Sequence, residues 1–332
     1  MNYVKSIDFD RQKAEIIDQT LLPNDFKLLK ITDYREMIEA IKTLRIRGAP
    51  AIGIAASVAC YLAAKEIQTK NGNYSDFLEA VKEIEASRPT AVNLFYACNG
   101  IRAINAEIKN LPAKVYDYAE KLRDYEIDAC RKMGENGARL ISKKSLKILT
   151  HCNTGSLATV GIGTALGMIR VLAESHDVHV FVDETRPLLQ GARLTAWELG
   201  ESGIPYSLIT DNMVASVIRS EKIDMIITGA DRIAANGDSA NKIGTFNLAV
   251  LAKYFGIPLY IVAPETTLDS KIRNGEEIII EERSPSEVKQ WRDVKTAPEN
   301  ANAKNPAFDV TPSELIKAII TEKNVYSYPY QF

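Results

Sequence analysis

The sequence predicts an α/β protein in which a small N-terminal antiparallel sheet and a helical bundle precede a parallel α/β domain. Two changes of pattern along its 332 residues support this fold class. Alternating runs over residues 3–31 give way to helical periodicity as far as residue 141, and strands then alternate with helices from residue 146. Such alternation implies right-handed crossovers and parallel strands covered by helices on both faces, as in a Rossmann-like sheet.

The N-terminal half is expected to hold three short strands between residues 3 and 31, followed only by helices. Asp33 is a suitable cap for the first helix. Pro50 stands where a first-turn proline belongs, and it opens a long apolar helix that is expected to run to about Ala64. The later helices of this half are expected at about residues 75–86, 91–109 and 113–141.

A charged break at residues 142–145 separates the two patterns, so we expect an N-terminal β plus helical domain at 1–143 and a Rossmann-like α/β domain at 144–332. The second domain is expected to have strands at residues 146–150, 178–182, 206–209, 225–228 and 258–262. Its helices are expected at about residues 160–174, 188–202, 212–221 and 243–255. The chain is expected to end with a strand at 277–280, a loop at 284–307 and a helix from Thr311.

The composition predicts a globular protein with neither a nucleic-acid nor a membrane partner. Apolar residues make up 46% of the chain and charged residues 25%, which is ordinary for a soluble protein with a sizeable core. A net charge of -2 argues against a dedicated nucleic-acid surface. The longest apolar stretch, residues 49–64, is interrupted by Pro50 and Gly53 and is too short to span a bilayer. The N-terminal residues lack the apolar segment of a signal peptide.

The four cysteines show no CxxC pairing and no histidine partners at metal-ligand spacing. That pattern favours reduced thiols in the cytoplasm over a disulfide or zinc framework. Cys60, Cys98 and Cys130 lie on apolar faces of predicted helices, where a thiol is ordinary packing. Cys152 differs because it follows a predicted strand and precedes a glycine-containing turn and a helix start.

The sequence ILTHCNTGS at residues 148–156 predicts a ligand site at the end of a buried strand. Ligands of open α/β sheets lie beyond the carboxyl ends of the strands, and hydroxyls with backbone N–H groups suit a small anion. A hydrolase with a Cys152–His151 pair is a disfavoured alternative, because neighbouring strand residues point to opposite sides. A dinucleotide fingerprint at Gly161, Gly163 and Gly167 is rejected because these glycines do not follow the strand directly.

Two predicted helix starts carry an arginine beside a proline and are candidate phosphate sites. Arg47, Gly48 and Ala49 precede Pro50, and Arg88 precedes a proline in the same way. The positive end of a helix dipole and a bidentate guanidinium both bind phosphate. The alternative for each motif is an ordinary turn with a solvated arginine.

Two further polar segments follow predicted strands, and a third leads into the next predicted helix. Gln190 and Arg186 are candidates for ligand contact, and the alternative is the solvated face of a helix entry. Asp231, just past a strand, is a candidate general acid or base, and the alternative is a turn residue or a helix cap. Lys242 is a candidate for binding phosphate.

The sequence resembles the methylthioribose-1-phosphate isomerase family, and the matching motifs occur in order over nearly the whole chain. These motifs are RGAPAIG at 47–53, SRPTAVNL at 87–94, THCNTG at 150–155, ETRPLLQGAR at 184–193, GADRI at 229–233, NKIGT at 241–245, EER at 281–283 and NPAFDVTP at 305–312.

The resemblance implies an aldose–ketose isomerase of methionine salvage that acts on a sugar phosphate without a metal or other cofactor. It implies that Cys152 and Asp231 are the catalytic pair. It further implies a homodimer and the following substrate-binding residues: Arg47, Gly48, Ala49, Arg88, Gln190, Asn241 and Lys242.

Three alternatives remain open from the sequence. A 5-deoxyribose 1-phosphate isomerase would act on a substrate that lacks only the methylthio group. A ribose 1,5-bisphosphate isomerase would need a second anion site near C5. A regulatory subunit related to those of a translation-initiation exchange factor would sense ligands without catalysis, and that class would lack Cys152 or Asp231, both of which this chain has.

Overall fold

A computed structural model of the chain describes residues 3–89 and 91–332. The chain divides into two compact units. The N-terminal unit consists of Tyr3–Ala129 together with Ser156–Gly163, and the C-terminal unit consists of Cys130–Gly155 together with Thr164–Phe332. Compact units are not the same as domains that fold alone, so a domain division at residue 143 stays a prediction.

The N-terminal unit opens with the predicted three-stranded antiparallel sheet, in the order β1-β2-β3. Its strands are β1 (Ile7–Phe9), β2 (Ala14–Ile17) and β3 (Leu28–Ile31). Its helices are α1 (Tyr34–Lys42), α2 (Ala49–Thr69), α3 (Tyr74–Glu85) and α4 (Val92–Arg102), and α5 (Leu111–Ala138) begins in this unit. Asp33 caps α1 as predicted, through a capping box with Glu36.

The helix α4 ends at Arg102, seven residues before the predicted end at 109. Ile104 and Ile108 continue the helical spacing and pack against the core, but they do so from irregular chain and from a short 3-10 turn. The apolar spacing therefore predicted correctly that these residues pack against the core, although the helix ends before them.

The helix α2 is the centre of the N-terminal core. Pro50 lies in its first turn, and fifteen consecutive residues from Pro50 to Ala64 are buried. In the part of the chain that the structure describes, α2 is the one helix long and apolar enough to cross a membrane, yet 83% of its apolar window is buried in the protein. The expectation that this stretch is interrupted and too short was wrong, and burial rather than length identifies α2 as a core helix.

The C-terminal unit is built on a seven-stranded sheet in the order β16-β15-β10-β7-β4-β5-β6. Its strands are β4 (Ser145–Thr150), β5 (Asp177–Asp183), β6 (Tyr206–Ile209), β7 (Met225–Thr228), β10 (Leu259–Val262), β15 (Ala318–Ile320) and β16 (Val325–Ser327). All neighbours pair in parallel except β15 with β16. The five predicted strands of this domain are therefore confirmed. The chain order reverses between β4 and β7, which makes this junction the topological switch point.

The helices that cover this sheet are shorter than their patterns predicted. They are α6 (Ala165–Ala173), α7 (Ala196–Glu201), α8 (Val214–Glu221) and α9 (Thr245–Phe255). A π-helical turn, Gly191–Thr195, directly precedes α7. Residues 151–164 form irregular chain instead of the early turns of the predicted helix at 160–174.

The C-terminal stretch differs most from expectation. The apolar run at 277–280 forms no strand, since Ile278 packs into a small cluster while Ile279 is 88% exposed. The predicted helix from Thr311 is wrong as well. Only a single 3-10 turn forms there, and β15 then pairs with β10 in the sheet. Because Ala318–Ile320 is wholly buried between β10 and β16, its place inside the sheet outweighs a helical pattern.

A second, four-stranded sheet in the order β11-β8-β9-β14 was not predicted. Its strands are β8 (Arg232–Ala234), β9 (Ser239–Lys242), β11 (Leu268–Asp269) and β14 (Phe308–Thr311). The hairpin between β8 and β9 turns at Asn236 and Gly237, a dipeptide typical of such turns. The remaining elements form a small excursion: α10 (Ser286–Lys289), β12 (Gln290–Trp291) and β13 (Val294–Lys295).

Candidate active site

Cys152 and Asp231 follow the two strands on either side of the switch point. Cys152 comes two residues after the end of β4, and Asp231 comes three residues after the end of β7. The two loops pack against each other at Gly229, where an added Cβ would lie 2.8 Å from Thr154 Cγ2. The sheet thus presents a thiol and a carboxyl at the position where open α/β sheets bind ligands.

Cys152 is buried and has a left-handed backbone conformation. Its φ of 61° is uncommon for any residue that carries a Cβ, and 8% of the residue is exposed. Its N–H donates to Thr185 Oγ1 at 2.8 Å, and its carbonyl oxygen accepts from Thr195 Oγ1 at 2.6 Å. Both polar atoms of the Cys152 backbone are therefore bonded to threonine hydroxyls.

The residue after Cys152 is anchored by a buried ion pair. Asn153 Nδ2 donates to Glu198 Oε1 at 2.8 Å. Glu198 Oε2 accepts from a terminal nitrogen of Arg170 at 2.9 Å, and both of these side chains are almost completely buried. A buried carboxylate is stable only with such partners, so the pair holds Asn153 in one orientation.

Both ring nitrogens of His151 contact groups other than the thiol, and the side chain forms a buried pair with Asp183. Its Nδ1 lies 3.0 Å from Asp183 Oδ2, and its Nε2 lies 2.9 Å from the carbonyl oxygen of Ile243. A carbonyl oxygen only accepts, so Nε2 carries a proton. The other nitrogen faces a carboxyl oxygen, and that contact also requires one proton.

This buried pair has shifted ionisation. Burial raises the pKa of the Asp183 carboxyl to about 6, although the contact with His151 opposes this shift. Burial lowers the pKa of His151, but the hydrogen bond to Asp183 and the negative charges of Asp183 and Asp211 together outweigh burial, so the net direction is upward. The raised pKa of the carboxyl and the raised pKa of the imidazole both favour the proton that this contact requires.

The same two side chains and Asp211 form a group whose donor atoms lie within 4.8 Å of one another, the arrangement that a metal ion would use. Hydrogen bonds already account for the third member. Asp211 accepts from the N–H of Thr185 and from the N–H of Arg186, each at 2.7 Å. The hydrogen bonds of Asp211 therefore explain its place in this group, because they support the turn that carries Thr185.

Gln190 brings an unsatisfied polar atom to the loop after β5. The side chain is 6% exposed, and its Oε1 has no hydrogen-bond partner among the described residues. A buried amide oxygen without a partner is unfavourable unless a ligand supplies the donor. Arg186, the other candidate on this segment, instead donates to the carbonyl oxygens of Pro187 and Val288, both at 2.9 Å.

Asn241 and Lys242 lie on β9, in the four-stranded sheet. Asn241 is buried, and its Nδ2 donates to Thr245 Oγ1 at 3.0 Å. Lys242 Nζ donates to the carbonyl oxygen of Ala307 at 2.9 Å and lies 4.4 Å from the centre of the Phe308 ring. The ammonium group of Lys242 is therefore held by contacts to Ala307 and Phe308.

In the N-terminal unit, Arg47, Gly48 and Ala49 form the start of α2, as predicted. Gly48 is the N-cap with a φ of 92°, a conformation that favours glycine. An added Cβ would lie 2.6 Å from Ala158 Cβ and still closer to the backbone of Ala158. Glycine is therefore required at this position by both backbone conformation and space.

Arg88 lies between α3 and α4, where it is partly buried. The helix α4 begins at Val92, within one residue of the predicted start at 91, so Pro89 precedes the helix by three residues, and Thr90 lies outside the described residues. The starts of α2 and α4 nevertheless meet, because an added Cβ on Gly53 would lie 3.0 Å from the carbonyl oxygen of Asn93. The two arginine-bearing motifs therefore belong to neighbouring helix starts in one unit.

A further group of side chains could not be predicted from the sequence because these residues bond the backbone. Thr185 and Thr195 bond Cys152, while Asp309 accepts from the N–H groups of Gly244 and Phe246 and so caps α9. Threonine and aspartate are common in loops and caps. No sequence spacing distinguishes these residues, because the hydrogen-bonded positions are far apart in the chain.

Comparison with known proteins places the chain in a family. The model of the initiation factor 2 subunit family matches residues 45–327. A methylthioribose-1-phosphate isomerase from Thermoanaerobacter sp. (strain X514) is 48% identical over 100% of this chain and 98% of the relative. A 5-deoxyribose 1-phosphate isomerase from Moorella thermoacetica is also 48% identical, over 96% of this chain and 93% of the relative.

A solved structure extends the comparison to the fold. The crystal structure of 5-methylthioribose 1-phosphate isomerase from Pyrococcus horikoshii OT3 superimposes with a TM-score of 0.91 at 41% identity, covering 98% of this chain and 93% of that chain. The predicted fold class is confirmed by this match. The chain belongs to the initiation factor 2 subunit family and, within it, is similar over its whole length to the methylthioribose-1-phosphate isomerases.

Proposed function

We propose that this chain is an aldose–ketose isomerase that converts 5-methylthioribose 1-phosphate to 5-methylthioribulose 1-phosphate in methionine salvage. One observation carries the proposal. A thiol and a carboxyl, Cys152 and Asp231, flank the switch point of the sheet in a chain that is 48% identical along its length to isomerases of this name. A regulatory subunit that only senses ligands would have no use for this pair.

The substrate's chemistry needs both groups. Its anomeric oxygen carries phosphate, so the ring cannot open as it does in a free sugar. We assign Asp231 as the acid at the ring oxygen. Cys152 is assigned as the group near C2, and in the reaction a hydrogen moves from C2 to C1. Two routes satisfy this scheme. One is proton transfer through an enediol-type intermediate, and the other is a hydride shift from C2 to C1.

Solvent isotope incorporation separates these two routes. In deuterium oxide, proton transfer by an exchangeable group such as the Cys152 thiol places deuterium at C1 of the product. A direct hydride shift leaves C1 without solvent deuterium. Proton NMR of the product distinguishes the two results.

The proposed substrate contacts divide between phosphate and sugar. Arg47, Gly48, Ala49 and Arg88 bind the phosphate through guanidinium groups and helix-start N–H groups. Gln190 accepts a hydrogen bond from a sugar hydroxyl at its unsatisfied Oε1. Asn241 and Lys242 supply further polar contacts from β9.

The catalytic roles are tested by the substitutions Cys152→Ser and Asp231→Asn. Each preserves the size of its side chain, and each variant is expected to fold normally and to lose turnover by a factor of about 100 or more. Thermal unfolding provides the folding control. A variant that keeps near-normal kcat would remove its residue from the catalytic pair.

A second candidate function is the isomerisation of 5-deoxyribose 1-phosphate, which is favoured by the 48% identity to the Moorella thermoacetica relative of that name. The two substrates differ only by the methylthio group at C5. A higher kcat/KM for the methylthio substrate supports the salvage function, and comparable values indicate a broader isomerase. Ribose 1,5-bisphosphate as the better substrate would point to a second anion site.

We also propose that the protein acts in the cytoplasm as a homodimer and that residues 144–332 form the catalytic domain. The dimer follows from the resemblance to the isomerase family rather than from the geometry of one chain. Light scattering after size exclusion is expected to give twice the mass of one 36.8 kDa chain. A mass equal to one chain would contradict the dimer.

A further inference from the structure

We propose that Thr185 and Thr195 are positioning residues that clamp the backbone of Cys152 and thereby direct its thiol to the reacting sugar. The inference deepens the proposed function and rests on it, because it takes Cys152 as catalytic. Thr185 stands just after β5, and Thr195 ends the π-helical turn before α7. The two residues come from different parts of the chain and bond opposite sides of one peptide segment.

Each threonine hydroxyl both donates and accepts a hydrogen bond. Thr185 Oγ1 accepts from the Cys152 N–H at 2.8 Å and donates to the carbonyl oxygen of Asp183 at 3.1 Å. Thr195 Oγ1 donates to the Cys152 carbonyl oxygen at 2.6 Å and accepts from Asn153 Nδ2 at 3.2 Å. A hydroxyl with a fixed donor and a fixed acceptor cannot rotate without losing a bond.

The clamp is needed because Cys152 is in an unfavourable backbone conformation. A residue with a Cβ at a φ of 61° persists only where the surroundings hold it there. If the bonds to the two threonines were lost, the peptide could relax to an extended conformation. The direction of the Cys152 side chain would then change with the backbone.

The clamp has its own supports. Thr185 is itself left-handed, with a φ of 62°, which is rare for a β-branched residue. Asp211 holds it there by accepting from the N–H groups of Thr185 and Arg186. On the other side, Glu198 holds Asn153 and so orients the donor to Thr195. Asp211 and Glu198 therefore both stabilise the hydrogen bonds that hold the Cys152 backbone.

The burial of the two threonines indicates that they position Cys152 and do not contact the substrate themselves. Thr185 is 0% exposed and Thr195 is 1% exposed, whereas Cys152 is 8% exposed. The hydroxyls already bond the protein, so they act on the reaction through Cys152. Removing either hydroxyl is expected to lower kcat more than it changes KM, because the thiol moves while the substrate contacts remain.

The test compares Thr185→Val and Thr195→Val with Thr185→Ser and Thr195→Ser. Valine keeps the shape and removes the hydroxyl, whereas serine keeps the hydroxyl. Thr311→Val is the matched control, because Thr311 is fully buried and its hydroxyl has no hydrogen-bond partner in the described part of the chain. Two readouts are used: kcat and KM with 5-methylthioribose 1-phosphate, and the rate at which iodoacetamide alkylates Cys152, measured by peptide mass spectrometry.

Each valine variant is expected to lose between about 10-fold and 100-fold in kcat, with KM within about threefold of wild type, since a small misplacement of a reacting group has effects of this size. The alkylation rate of Cys152 is expected to change in the same variants. The serine variants and Thr311→Val are expected to stay close to wild type in both readouts.

The clamp is overturned if both valine variants keep the wild-type kcat and the wild-type alkylation rate. If no protein, including wild type, converts the substrate while alkylation still separates valine from serine variants, the clamp stands and the proposed function fails. If the valine variants do not fold, hydrogen exchange of the wild-type Cys152 amide decides. Slow exchange supports the bond to Thr185, and exchange at the rate of an open peptide overturns it.

Discussion

Gly48→Ala is expected to damage the helix start that carries Arg47. The new Cβ would stand 2.6 Å from Ala158 Cβ and closer still to the carbonyl oxygen and Cα of Ala158. A backbone conformation reserved for glycine adds about 1–3 kcal/mol, and overpacking against a rigid neighbour adds about 1–3 kcal/mol. The free energy of unfolding is therefore expected to fall by about 2–6 kcal/mol.

The matched control is Gly203→Ala. Gly203 also has a positive φ, 66°, but an added Cβ meets nothing within 4 Å. This control carries only the conformational penalty of about 1–2 kcal/mol. Urea unfolding measures both variants, and the excess loss in Gly48→Ala gives the cost of the overlap with Ala158 together with the less favourable backbone conformation of Gly48. If Gly48→Ala is no less stable than Gly203→Ala, the close approach at the start of α2 is not a constraint. A folded Gly48→Ala protein is further expected to have a raised KM for the phosphorylated substrate.

Two further predictions concern the buried pairs. Arg170→Met leaves the Glu198 carboxylate buried without its cation and is expected to reduce the free energy of unfolding by about 3–5 kcal/mol. Adding Glu198→Gln removes the charge and is expected to restore part of that loss in urea unfolding, and no recovery would contradict the ion pair. For His151, the folded pKa lies above its ordinary 6.5 because of Asp183, so the folded state keeps a proton that the unfolded state releases. The resulting stability is fully present below pH 6.5 and is lost as pH rises through the folded pKa. Asp183→Asn removes the carboxyl that holds this proton and is expected to flatten the decline of stability above pH 6.5, and an unchanged slope would refute the assignment.

The central part of the fold was predictable because strands such as β4 and β7 are apolar runs that end at a polar residue. Such runs identify buried parallel strands without any knowledge of their order. Once the strands are known, the carboxyl-end rule places Cys152 and Asp231 on one edge of the sheet. The loops that carry the candidate site could therefore be identified from the sequence, while the catalytic roles of Cys152 and Asp231 stay a prediction.

The parts that were not predicted depend on bonds between distant positions. The bond from Cys152 to Thr185 spans 33 residues, and the bond to Thr195 spans 43. A local pattern carries no sign of such bonds. The β8–β9 hairpin had a usable signal in Asn236–Gly237, but its flanking residues lack the usual alternation of a strand pair.

Near the end of the chain, the local spacing predicted the wrong type of secondary structure. Ala318–Ile320 lies in a stretch whose spacing predicted a helix, and it forms a strand because a place beside β10 buries all three residues. Tertiary context decides between helix and strand for short apolar runs. The prediction of a strand at 277–280 failed for the same reason, since this run pairs with no other strand in the described part of the chain.

The central claim is that this chain isomerises a 1-phosphorylated pentose at Cys152 and Asp231. The most direct measurement is turnover followed by phosphorus NMR, with purified protein and 5-methylthioribose 1-phosphate, and with 5-deoxyribose 1-phosphate in parallel. We expect conversion of the methylthio substrate with the higher kcat/KM, and loss of that conversion in Cys152→Ser. Folded wild-type protein that converts neither substrate would contradict the proposed function.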